Sequence, residues 1–113
     1  MKPSPDFLAK ITVTRGRKTE PNLSCFVFGE DGQRRVPMEL EGTEGLHTVN
    51  IWVGRAAIFP KGESFEAELT CLDRTVFEEE VCSGTKFMLW DGGFFAEGHI
   101  TRDLGRRINA ADI

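Results

Sequence analysis

Short runs of alternating apolar and polar residues, separated by glycine-bearing turns, constrain the fold of this chain more than any other feature. The clearest run places Phe65, Ala67, Leu69 and Cys71 on one face, with acidic and hydroxyl side chains between them. Successive side chains of a β-strand point to opposite faces, so a period of two is typical of a strand buried on one side. At 113 residues the chain has the length of one domain. We therefore expect a single all-β domain.

Similar patterns predict strands in the first half of the chain. Phe7–Thr14 alternates in the same way, and Leu23–Phe28 is apolar on both faces, which favours a central strand. The turn residues Gly29–Gly32 predict a hairpin that returns through Arg34–Leu40. Within the returning strand, Pro37 cannot donate to a ladder, so its nitrogen must face an edge or a bulge.

Strand patterns continue in the second half. Leu46–Val53 predicts a strand with His47 on its apolar face. Asp91-Gly92-Gly93 predicts a tight hairpin turn between Lys86–Trp90 and Phe94–Thr101, because glycine supplies the positive φ that such a turn requires. Arg74–Val81 is compatible with a strand edge or a helical turn, and we predict irregular extended chain there.

Six or seven short strands at regular spacing favour a closed antiparallel β-barrel, since closure leaves few exposed edges. We expect residues 1–104 to form this single barrel domain. Residues 105–113 contain little that a core could bury, so we predict a flexible C-terminal tail.

The net charge of −4 is unevenly distributed along the chain. Residues 1–57 contain eight Lys/Arg and seven Asp/Glu, whereas residues 58–113 contain six and eleven. An acidic surface repels phosphate, which argues against a nucleic-acid interface in the second half. Acids on a solvated strand face also explain the pattern without any partner.

The three cysteines favour a reducing compartment. Cys25, Cys71 and Cys82 cannot all pair and lack the spacing of a zinc ribbon. The first residues lack an apolar run of the length that a signal peptide needs, and nowhere in the sequence do about eighteen apolar residues run together. We therefore expect a soluble cytoplasmic protein that does not associate with membranes.

No residue pattern supports catalysis, a metal or a cofactor. His47 and His99 lack ligand spacing, and the pair Glu66 and Glu68 lies on a solvated face without the apolar pocket that separates two carboxyl pKa values. Gly93–Ile100 has the glycine spacing of a phosphate-binding loop but lacks its lysine and hydroxyl residue. We expect a protein that is not an enzyme and carries no cofactor.

The last third of the chain combines Pro60-Lys61-Gly62, the alternating run from Phe65 to Thr70, and the hairpin Gly84–Gly98. This combination resembles the C-terminal β-barrel domain, the third domain, of elongation factor Tu. The segment Phe7–Val13 has a weaker similarity to the same domain. The resemblance as a whole covers roughly residues 5–104. It implies a stand-alone copy of that barrel, linked to translation. Because the sequence contains no nucleotide-binding motif, we expect no GTPase activity.

The resemblance also implies possible partners, and two departures from the family motif bear on them. Lys86 and Trp90 stand where the family's hairpin has its two arginines. Strand alternation that points Phe87 and Leu89 inward would point Met88 and Trp90 outward, with Phe94 nearby across the turn. Large exposed aromatic residues concentrate where proteins bind partners.

We therefore predict that Met88, Trp90 and Phe94 bind a protein partner, unless a loop or the tail covers them. The alternative is transfer-RNA or other RNA binding, which the resemblance implies, through five basic residues: Arg15, Arg17, Lys18, Arg34 and Arg35. Self-association through the aromatic cluster or through an edge at Pro37 is a further possibility.

Overall fold

The computed structural model describes residues 5–14, 25–72 and 83–104. Within these ranges the regular structure consists of β-strands, as expected. The strands are β1 (Phe7–Val13), β2 (Cys25–Phe28), β3 (Gln33–Leu40), β4 (Leu46–Trp52), β5 (Ala57–Pro60), β6 (Ser64–Cys71), β7 (Lys86–Trp90) and β8 (Phe94–Asp103).

Six of these strands form a closed antiparallel barrel in the order β1-β6-β4-β3-β7-β8, with β8 returning to β1. The all-β class and the six-stranded barrel are thereby confirmed. Alternation explains the interior: Phe7, Ala9, Ile11 and Val13 of β1 are all buried, while Lys10 between them is exposed. The clearest strand of the sequence, β6, behaves in the same way.

Gly98 in β8 allows the barrel wall to close tightly around Phe87. A Cβ at this position would lie 2.5 Å from the Lys10 carbonyl oxygen and 2.6 Å from the Phe87 ring. Phe87 is 2% exposed and faces Gly98 across the β7–β8 ladder. The glycine is therefore required by packing, since its φ is not in the left-handed region.

The remaining two strands, β2 and β5, form a separate two-stranded ribbon. This corrects two predictions. The segment containing β2 is not a central strand among the described residues, and β2 does not form a hairpin with β3, because its partner is β5. No strand was predicted at the position of β5, Ala57–Pro60.

Aromatic packing explains why β2 leaves the barrel wall. Phe26 and Phe28 project from one face of the ribbon, and their ring centroids lie 5.7 Å from that of Phe65 in β6. Phe26 also lies 5.0 Å from Phe95 in β8, and Phe59 of β5 stacks on Phe65 at 4.0 Å. The ribbon therefore packs on the barrel through its phenylalanine rings. Burial of these rings stabilises this position more than pairing β2 as a further strand of the barrel wall would.

Pro37 lies at an edge, as predicted. The Glu41 N–H donates to the Lys86 carbonyl at 2.9 Å, and backbone nitrogens two residues apart on a strand point the same way. The Pro37 nitrogen is therefore directed towards β7, but the β3–β7 pairing covers only Met38–Leu40. Pro37 lies just beyond the last pair.

Several predictions concern parts of the chain outside the described residues. These are the irregular segment Arg74–Val81, the start of the Leu23–Phe28 run and the tail 105–113.

Candidate protein-binding surface

The outer side of the β7–β8 hairpin carries the three residues predicted to bind a protein. In β7, Phe87 and Leu89 are 2% and 0% exposed, whereas Met88 and Trp90 are 38% and 37% exposed. The predicted inward and outward assignment of this strand is confirmed. Two large apolar side chains therefore lie two residues apart on the outer face of one strand.

Phe94 lies across the hairpin from Trp90, because the two residues are Cα partners in the ladder. The register shifts between Leu89 and Trp90, which is a β-bulge, and the turn bends through Gly92 with a φ of 69°. Facing residues of an antiparallel pair project from the same side of the sheet. The bulge and turn thus bring Phe94, which is half-buried, to the side of Trp90.

Trp90 and Phe94 lie where the pairing between β3 and β7 ends. The last β3–β7 pair is Met38 with Leu89, and one further step in the same register would place Pro37 opposite Trp90. Pro37 cannot donate the backbone hydrogen bond that would continue the ladder. The exposed indole is therefore next to an edge of β3 that is unpaired by any described strand.

Carboxylates flank the apolar side chains. Met88 is the Cα partner of Glu39 in β3 and of Glu97 in β8, and both acids are exposed. These residues line a groove of 410 Å³ that continues to Glu41, Lys86 and His99. The surface thus combines an apolar centre with a mainly acidic border, which favours a partner that presents apolar and basic groups.

Arg34 crosses from β3 to the hairpin turn. Its Nη2 lies 3.4 Å from Asp91 Oδ2, its Nη1 donates to the Val27 carbonyl at 3.3 Å, and its guanidinium carbon lies 5.4 Å from the centre of the Phe26 ring. These contacts connect the ribbon with β3 and the turn beside Trp90. This role could not be predicted from the sequence, because the contacting residues are far apart in the chain.

The alternative basic patch is only partly within the described chain. Arg34 and Arg35 are neighbours on β3 and point to opposite faces, so they do not form one patch. Arg35 is exposed, whereas Arg34 makes the contacts given above. Arg15, Arg17 and Lys18 lie outside the described residues. The RNA alternative stays a prediction.

The other candidate residues are scattered. Cys25 and Cys71 are buried, each 9% exposed, and Cys82 is outside the described chain. His47 Nε2 lies 3.0 Å from the Glu44 carbonyl oxygen, and His99 is exposed between Lys86 and Lys10 on the neighbouring strands. Within the three described ranges, no group of three His, Cys, Asp or Glu residues could hold a metal ion.

The acidic pair from the sequence analysis lies on the outer face of β6. Glu66 is exposed and Glu68 is partly exposed.

In that part of the chain which the structure describes, no helix has the length and apolar character needed to cross a membrane.

Comparison with known proteins adds no family assignment. No protein-family model matches this chain, and no curated protein has significant sequence similarity to it. The proposals below therefore depend on the geometry of the barrel and on the residues at its surface.

Proposed function

We propose that this chain is a non-catalytic binding module that holds a protein partner through Met88, Trp90 and Phe94. The observation that carries the proposal is an exposed tryptophan at the end of the β3–β7 ladder, beside the unpaired edge at Pro37. Tryptophan is enriched among the residues that dominate binding energy at interfaces, because its large ring gains much on burial.

The barrel supplies a rigid support for this surface. Met88 and Trp90 alternate with Phe87 and Leu89, which are fixed in the core. A partner that covers the outward side chains therefore meets a preformed strand and loses little free energy in ordering it. The acids Glu39 and Glu97 beside Met88 favour partners with basic residues around an apolar anchor.

We also propose the finer fold class and the cellular setting. A six-stranded closed barrel with a Gly-bearing final hairpin is compatible with the resemblance to the C-terminal barrel of elongation factor Tu, and hence with a role linked to translation. Three cysteines, which cannot all pair with one another within the chain, support a reducing cytoplasm.

Affinity capture from a lysate of the source cell tests the proposal. The bait carries Trp90→Ala and Phe94→Ala together, and the matched control carries Leu72→Ala, which removes an apolar side chain that is 63% exposed just after β6, on the far side of β4 from β3. We expect the double variant to bind its main protein partner at least about thirtyfold more weakly, which corresponds to a residue that contributes about 2 kcal/mol to binding. The control should bind with unchanged affinity.

Two further measurements separate the alternatives. Nuclease treatment that removes the captured material would favour RNA, and light scattering that shows a dimer lost in the Trp90→Ala and Phe94→Ala variant would favour self-association. Unchanged capture by the folded double variant would refute the proposed surface.

A further inference from the structure

The ribbon strand β5 has a second edge that lacks a partner among the described residues. Its only strand partner there is β2. Ile58, near the middle of β5, is 67% exposed, the highest fraction among the large apolar side chains described. An apolar side chain beside unpaired backbone groups at a strand edge forms a template to which another strand can add.

The register identifies which backbone groups point outwards. Facing residues of an antiparallel pair alternate between exchanging two hydrogen bonds and exchanging none. Pro60 stands opposite Cys25 and has no N–H, so this pair exchanges none. The pair two residues further, Val27 with Ile58, is therefore of the same kind, and its backbone groups point away from each other.

The two outer edges of the ribbon consequently differ. On the β2 side, the Val27 carbonyl accepts a hydrogen bond from Arg34 Nη1 at 3.3 Å, in agreement with this alternation. On the β5 side, the N–H and C=O of Ile58 are directed to an edge to which no described strand is paired. This edge offers one donor and one acceptor beside an exposed apolar side chain.

The charged side chains that immediately flank β5 are basic, and the nearest acid along the chain is Glu63. Residues 53–62 include Arg55 and Lys61 and no acid, although the whole chain has a net charge of −4. Both side chains are exposed, and each is three residues from Ile58 in the sequence. Arg55 lies in the bend just before β5 and Lys61 in the turn just after it, so one basic residue flanks each end of the edge.

We propose that the outer edge of β5 binds an extended segment of a partner protein, in which an apolar residue faces Ile58 and acidic residues lie about three positions to either side. The segment adds a third strand to the ribbon, with main-chain hydrogen bonds to Ile58 and charge pairs with Arg55 and Lys61. This surface is separate from Met88, Trp90 and Phe94.

The same charges disfavour a second copy of this chain as the occupant. Antiparallel pairing of two β5 strands about Ile58 would place Arg55 of each copy near Lys61 of the other. Like charges facing each other destabilise a strand pair, and Pro60 removes one donor. An acidic partner strand avoids the charge conflict, and Pro60 then removes a donor from one side of the pairing only.

A titration of isotope-labelled protein with synthetic peptides tests the proposal by NMR. The probe peptide has nine residues, with isoleucine at the centre and glutamate three positions to each side. We expect its largest shift changes at the Ile58 amide. The first control peptide has lysine in place of both glutamates. The second is N-methylated at a residue whose N–H must donate to the Ile58 carbonyl. Each control should bind at least about tenfold more weakly than the probe.

Two variants of the protein refine the test. Ile58→Pro removes the outward N–H without removing a β2–β5 hydrogen bond and should weaken the probe by about tenfold or more, whereas Ile58→Thr, which keeps that N–H, should bind more tightly than Ile58→Pro. The N-methylated peptide leaves the protein unchanged and decides the question if Ile58→Pro disturbs the ribbon.

Several results would overturn the proposal. These are equal affinity for the lysine peptide, full affinity for the N-methylated peptide, no binding of the probe at millimolar concentration, or shifts centred on Trp90. A dimer that depends on Ile58, or an RNA oligomer that displaces the probe from this edge, would assign the edge to a different occupant.

Discussion

The β7–β8 hairpin and the β2–β5 ribbon both expose apolar side chains, but they are held to the molecule differently. β7 lies between β3 and β8, and β8 between β7 and β1, so the hairpin belongs to a wall of backbone hydrogen bonds. The ribbon has no such neighbours among the described strands and packs on the barrel through phenylalanine rings. The hairpin should therefore tolerate changes on its outer face, whereas the ribbon depends on its inner face.

Phe26→Ala should have the largest effect on stability, because it removes the side chain that joins the ribbon to the barrel. Phe26 is fully buried, and its ring lies near those of Phe28, Phe65 and Phe95. We expect the free energy of unfolding to fall by about 4 kcal/mol. Urea denaturation measures this change.

The neighbouring Val27→Ala is the matched control for Phe26→Ala. Val27 is 39% exposed on the other face of β2, so its truncation should cost about 0.5 kcal/mol or less. Equal losses for the two variants would contradict the description of the ribbon as held by its inner face.

Gly98→Ala should strain the barrel wall and have the next largest effect on stability. The new methyl group would meet the Lys10 carbonyl and the Phe87 ring at less than 3 Å. We expect a loss of about 3 kcal/mol in unfolding free energy, from overpacking against backbone.

Gly45→Ala provides the comparison for Gly98→Ala. Gly45 has a φ of 85°, and the space that an added Cβ would occupy is open, so only backbone strain of about 1 kcal/mol applies. If Gly98→Ala were no more destabilising than Gly45→Ala, the close approach at Gly98 would not be a packing constraint.

Arg34→Met should have a smaller effect, because it loosens the connection between the two regions without removing either. The substitution removes the ion pair with Asp91 and the hydrogen bond to the Val27 carbonyl, in a partly exposed setting. We expect a loss of about 1 kcal/mol by urea denaturation. Arg35→Met, on the opposite face, should change stability by less than about 0.5 kcal/mol, and the reverse order would refute the assigned contacts.

The sequence predicted the barrel well because its strands alternate in a local pattern. The inward positions of β1, β6 and β7 could be assigned from the period of two alone, as for Phe87 and Leu89. The same alternation predicted that Met88 and Trp90 point outwards, and the Asp91-Gly92-Gly93 turn predicted the hairpin.

The ribbon could not be predicted in this way, since it depends on contacts between distant segments. Phe26 and Phe28 were visible as an apolar run, but nothing local indicates that they pack on Phe65 and that β2 pairs with β5. The role of Arg34 was equally hidden, because Asp91 is 57 residues away in the sequence.

Changes at the proposed binding surface should also have only a small effect on stability. Trp90→Ala together with Phe94→Ala should lower the free energy of unfolding by about 1 kcal/mol, because the wall beneath these side chains is held by its backbone and by Phe87 and Leu89. Thermal denaturation measures the change, and a loss as large as that of Phe26→Ala would make these residues part of the core.

The accessibility of Trp90 to solvent tests the central claim most directly. Trp52→Phe leaves Trp90 as the sole indole of the 113-residue chain, so acrylamide quenching of its fluorescence reports this one side chain. We predict strong quenching in the free protein, as expected for an indole that is 37% exposed, and protection when the captured partner is added. An indole already shielded in the free protein, or one that stays equally quenched in the complex, would contradict the assignment of this face as the binding surface.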